Sequence, residues 1–143
     1  MALKLPSEAD EWISVWREHL NDSEAYAEKG TGWGVGFDGD FVFVIEPDDT
    51  YPGDPVYLFV GLEDGRCTDA YEVGSPDEVD HGFVYRGPYT NWKGLVEGDV
   101  GAMDGLMSGK FDLDGDMQKV LQYSDAAVVM TENAAAIDTE FEY

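Results

Sequence analysis

Two kinds of hydrophobic pattern divide the chain. "FVFVIEP" (41–47) and "VYLFVGL" (56–62) are continuous apolar runs, as expected of central strands covered on at least part of both faces. The Pro, Gly and Asp content of "DDTYPGDP" between them predicts a loop. "EDGR" predicts a hairpin turn into "CTDAYEV", with Cys67, Tyr71 and Val73 on one face. "GSPDEVDHG" is a further loop and "FVYRG" (83–87) a further strand. Upstream, Trp12, Ile13, Trp16 and Leu20 form one apolar stripe at helical spacing. Pro6 and Ser7 open that helix, with Ser7 as N-cap and Asp10 three residues on. "SEAYAEKG" predicts a short second helix closed by Gly30, and "GWGVGFDGD" one strand and a tight turn.

Beyond Pro88 the period changes. Residues 88–97 and 100–108 predict two short helices, each ended by glycine, with Trp92, Leu95 and Val96 apolar on the first and Met103, Leu106 and Met107 on the second. A strand is expected at 110–114, then a helical region from Asp116 to about Ile137, broken near Ser124–Asp125. "DLDGD" (112–116) looks like a calcium loop until its spacing is tested. From Asp112, the glycine falls at the fourth position rather than the sixth, and Tyr123 stands where the closing Glu belongs. The better reading is a strand end, with Asp112 and Asp114 facing water, Gly115 permitting the turn and Asp116 capping the next helix. Strands first and helices after make one α+β domain spanning residues 1–143.

Charge narrows the function. There are 31 Asp and Glu against 8 Lys and Arg, a net of −23, and the acids are spread over almost every segment. That distribution points to a surface adapted to a high-salt cytoplasm, where self-repulsion is screened. It argues against a nucleic-acid partner, which needs clustered cations. No apolar stretch reaches membrane-spanning length, so no stable membrane insertion is expected. A single cysteine, Cys67, and an N-terminus unlike a signal peptide fit a cytoplasmic setting.

Candidate chemistry is sparse. "GVGFDG" satisfies a dinucleotide-loop spacing at Gly34, Gly36 and Gly39, but a helix precedes it and a strand follows, the reverse of what that loop requires. His19 and His81 lack partners at metal-ligand spacing, and no nucleophile elbow is present. No catalytic residue, metal or cofactor is therefore expected. The remaining signal is apolar: Met103, Met107, Met117 and Met130 lie on successive C-terminal elements, and methionine lines adaptable cavities.

The block from Phe83 to Val120 carries "LVEG" (95–98), "GLMSGK" (105–110), "FDLDGD" (111–116) and then "MQKVL". On these elements the chain resembles the sterol carrier protein type 2-like lipid-binding domain family, and the acidic surface fits a haloarchaeal member of it. The resemblance implies a five- to six-stranded, mainly antiparallel sheet covered on one face by helices, with an apolar tunnel between. It implies binding of a fatty acyl, isoprenoid or sterol-like lipid without covalent chemistry. It places Trp92, Met103, Leu106, Met107, Val120, Leu121 and Tyr123 around the ligand. The expectation is a cytoplasmic lipid carrier, not an enzyme. The alternatives are an enzyme or enzyme accessory acting on a hydrophobic substrate, or an interaction module with a filled core.

Overall fold

The computed structural model describes residues 2–143. The apolar runs form β2 (Phe41–Glu46) and β3 (Val56–Glu63), followed by β4 (Arg66–Val73) and β5 (Phe83–Pro88). The N-terminal part holds β1 (Leu3–Leu5), α1 (Ala9–Asp22) and α2 (Glu24–Lys29). The C-terminal part holds α3 (Tyr89–Val96), α4 (Ala102–Met107), β6 (Asp112–Asp114), α5 (Met117–Gln122), α6 (Ser124–Ala135) and β7 (Thr139–Phe141). The central sheet has five strands in the order β4-β3-β2-β5-β6. It is antiparallel except where β2 runs parallel to β5. β1 and β7 form a separate parallel pair, Leu3 opposite Thr139 and Leu5 opposite Phe141.

The strand alternation sorts the two sheet faces. Phe41, Ile45, Leu58, Val60, Phe83 and Tyr85 join the main core beneath the helices. Val42, Val44 and Phe59 are buried on the opposite face, where the Phe59 ring lies 5.2 Å from that of Tyr71. Helix α6 spans the cover and packs against each of α1 to α5.

Three local expectations are corrected. Ser7 does not cap α1: Glu8 occupies that position without a side-chain bond, and the Ser7 N–H is drawn instead to Glu142 Oε1 at 2.7 Å. "GWGVGFDGD" forms no strand, because Gly32, Gly34 and Gly36 have φ of 92°, 79° and 84° and turn the backbone out of any extended run. Cys67 and Tyr71 do not share a face. Gly61 pairs with Asp69 but Leu62 pairs with Cys67, so Thr68 is an extra residue in β4. This bulge keeps Cys67 and Ala70 inward and turns Tyr71 out. Asp40 Oδ1 accepts from the Leu62 N–H there at 3.1 Å. The central sheet has five strands, within the five to six expected, and Leu3–Leu5 pairs with Thr139–Phe141 apart from it.

The "DLDGD" corner is architecture. Asp116 Oδ1 accepts from the N–H groups of Gln118 and Lys119 at the start of α5, at 3.0 and 3.4 Å. Gly115 has φ 133°, and a Cβ there would strike the Phe83 ring. Asp112 and Asp114 are exposed, and Asp114 pairs with Arg86.

A second anchor was not visible in the sequence. Asp48 Oδ1 accepts from the N–H groups of Thr50 and Tyr51 at 2.9 and 2.7 Å. Its Oδ2 accepts from the Thr90 N–H and hydroxyl at 2.9 and 2.8 Å. One carboxylate thus closes a loop and caps α3 from 42 residues away.

Candidate functional site

Between the sheet and its helical cover lies a cavity of about 90 Å³. Its floor is aromatic: Phe41 and Phe43 from β2 and Tyr85 from β5. Trp12 and Trp16 wall one side from α1, and Trp92 and Leu95 come from α3. The cover is smaller and softer, with Ala102 and Met103 from α4, Val120 from α5, and Ala127, Met130, Thr131 and Ala134 from α6. The three alanines are what leave the space open. A second cavity of about 40 Å³ adjoins it, bounded also by Tyr26, Trp33, Leu62, Tyr123 and Ala126.

Every polar side-chain group in the larger wall is already partnered. Trp12 Nε1 donates to Thr139 Oγ1 at 2.9 Å, Trp16 Nε1 to the Met130 carbonyl at 3.1 Å and Trp92 Nε1 to the Val44 carbonyl at 2.8 Å. The Tyr85 hydroxyl donates to the Ala102 carbonyl at 2.7 Å, and the Thr131 hydroxyl to the Ala127 carbonyl at 3.0 Å. Burial pushes the Tyr85 phenol well above its ordinary pKa, so it remains a neutral donor. The aromatic residues here spend their polar edges on the protein and leave their apolar surface to the cavity. Such a site offers a ligand dispersion contact and desolvation, with no hydrogen bond to win.

One side of the wall is tied together by contacts between rings. Phe43 meets Trp16 at 5.7 Å, Tyr85 at 6.1 Å and Trp92 at 5.6 Å between ring centroids. Tyr85 stacks on Phe111 at 4.8 Å. Each such pair adds about 0.5–1.5 kcal/mol beyond its area burial.

Of the residues singled out from sequence, Trp92, Met103 and Val120 line the larger cavity, and Val120 and Tyr123 the smaller. Leu106 is buried in the core but lines neither. Met107 and Leu121 are 66% and 40% exposed. Each follows an inward residue, Leu106 or Val120, and one step round a helix carries it outward. Sequence reasoning did not assign Trp12, Trp16, Phe41, Phe43, Ala127 or Met130 to the site. The apolar stripe on α1 and the run in β2 marked the first four as inward-facing, without showing what they face. The thiol of Cys67 lines neither cavity, and burial pushes its pKa up to about 12.

The family model of the SCP-2 sterol transfer family matches residues 37–128. No curated protein sequence matches the chain. Among solved structures, a crystal structure of sterol carrier protein 2 is 25% identical, with a TM-score of 0.77, covering 90% of this chain and 96% of that one. A conserved hypothetical protein from Thermus thermophilus, described as possibly sterol carrier protein, is also 25% identical with a TM-score of 0.77, covering 91% of this chain and 88% of that one. The apo form of sterol carrier protein 2 from Yarrowia lipolytica is 20% identical with a TM-score of 0.54, covering 86% and 88%, and shares the fold.

Proposed function

The chain belongs to the SCP-2 sterol transfer family, and we propose that it binds and carries a hydrophobic small molecule, by enclosure and without covalent chemistry. The whole of residues 1–143 acts as one ligand-binding domain inside the cell, and its acidic surface suits it to high salt. The observation that carries this reading is the larger cavity, whose five polar side chains are all engaged within the protein. Enzymatic chemistry requires convergent free polar groups; the wall supplies hydrocarbon and ring faces instead. Trp92, Met103, Val120 and Tyr123 are proposed as ligand contacts together with Trp12, Trp16, Phe41, Phe43 and Met130.

The mechanism is desolvation. Each methylene moved from water into the cavity contributes about 0.8 kcal/mol. The cavity as it stands is smaller than the roughly 150 Å³ that accepts one benzene. Binding a lipid therefore requires the side chains of the cover, Met103 and Met130 foremost, to yield while the aromatic floor stays.

The test is direct. Protein purified under mild conditions is extracted and the extract analysed by mass spectrometry; the delipidated protein is titrated with a fluorescent fatty-acid analogue. Co-purifying lipid and saturable binding at one site per chain are expected. Ala127→Phe places a ring in the cavity and abolishes binding in a folded protein, whereas Met107→Trp, on the exposed side of α4, leaves it intact. Absence of extracted lipid, together with indifference to acyl, isoprenoid and sterol probes, overturns the carrier reading in favour of a filled-core interaction module.

A further inference from the structure

The two cavities share four lining residues: Phe41, Val120, Ala127 and Met130. These four make up the partition between them, and they differ in what they can do. Phe41 is held among other rings, 5.1 Å from Phe83, 5.9 Å from Trp33 and 5.7 Å from Phe43. Val120 is β-branched and stiff, and Ala127 has no side-chain rotor. Met130 alone has three rotatable bonds and a polarisable thioether. Its backbone is pinned, because the Met130 carbonyl accepts the Trp16 indole N–H. Its side chain can therefore turn without α6 moving.

We infer that Met130 is a gate between the two lobes, and that the site takes a flexible single-chain lipid whose tail passes Met130 into the smaller lobe beside Trp33 and Tyr123. This rests on the carrier reading above and deepens it. A polymethylene chain is thin and can bend through a neck opened by one side chain. A fused-ring lipid is broad and rigid, and would have to displace Phe41 or the α5 and α6 backbones as well. The smaller lobe acts as a measure of tail length, and Met130 decides whether a tail reaches it.

The experiment is a titration of delipidated protein with saturated fatty acids of increasing chain length, and with cholesterol. In the wild type, affinity rises about fourfold per added methylene until both lobes are full. Met130→Phe puts a ring that cannot turn aside in the neck, and the rise stops several carbons earlier. Met130→Ala opens the neck, and the rise continues at least as far as in the wild type. Should Met130→Phe fail to fold, Met130→Ile, stiff at χ1, stands in its place with the same expected direction. Cholesterol binds the wild type far more weakly than the best fatty acid. A rise that stops at the same chain length in wild type and variants overturns the gate and leaves the carrier reading standing, and cholesterol binding as tight as the best fatty acid does the same. A wild type that binds neither fatty acids nor cholesterol overturns both.

Discussion

The Trp16 indole N–H reaches the Met130 carbonyl at 3.1 Å, so one hydrogen bond joins the first helix to the last across the candidate ligand cavity. It orients the Trp16 ring and fixes the backbone from which Met130 projects. Trp16→Phe keeps an apolar ring but leaves that carbonyl without the indole donor. A loss of about 1 kcal/mol is expected in chemical denaturation, with weakened binding of a fatty-acid probe. Trp16→Ala also removes the packing and is expected to cost about 3–5 kcal/mol.

Asp48 makes stability depend on pH in a defined direction. Burial raises its pKa somewhat, but hydrogen bonds from Thr90, Tyr51 and Thr50 outweigh that and hold the carboxyl below its ordinary 3.8. A depressed folded pKa gives stability that is present above the unfolded value and lost as pH falls through the folded one. The gap in thermal midpoint between wild type and Asp48→Asn should therefore be full near neutrality and shrink as pH falls below 3.8. Measuring the difference matters, because Asp40 and Glu72 are raised, chiefly by burial, and push the other way.

The corner at 112–116 separates structural from solvated aspartates. Asp116→Ala should cost about 1 kcal/mol as a lost N-cap. Asp112→Asn should be close to neutral. Asp114→Asn should lose at most about 1 kcal/mol, since its pairing with Arg86 is exposed. Gly115→Val should be the most damaging, combining a φ of 133° with a clash against Phe83. A calcium-dependent melting shift that vanishes on changing Asp112 and Asp114 together would restore the metal reading.

The net charge of −23 predicts a response to salt. Raising KCl from about 0.1 M to about 1 M shortens the screening length from roughly 10 Å to roughly 3 Å. The thermal midpoint is expected to rise by several degrees, and to rise less in a variant with surface acids replaced by lysine. A flat or falling midpoint would remove the high-salt reading.

The helices and the long strands were legible because burial imposes a period. Trp12, Ile13, Trp16 and Leu20 could hardly be anything but one face of α1, and all four are buried. Asp116 was readable as a cap because the donors it satisfies are local. What stayed hidden depends on distant partners. Asp48 looks like any loop aspartate until Thr90 arrives beside it. A single extra residue, Thr68, reverses the sidedness of β4. Three-residue strands such as β1 and β7 are too short to show any alternation. The site suffered most: methionine content pointed to elements that line the cavity, but whether Met107 or Met130 faces inward is decided by helix phase and packing.

The parallel pairing of Leu3–Leu5 with Thr139–Phe141 sets an order of events during synthesis. A chain emerging N-terminus first makes α1 and the sheet long before β7 exists, and β1 must wait unpaired. The contacts that span the sequence are also slow to find, because the loop they close is nearly the whole chain. Trp12 must wait for Thr139, and Trp16 for the Met130 carbonyl. The α6 side of the cavity is thus made after its aromatic floor, which stands uncovered on that side until α6 has been synthesised and docked.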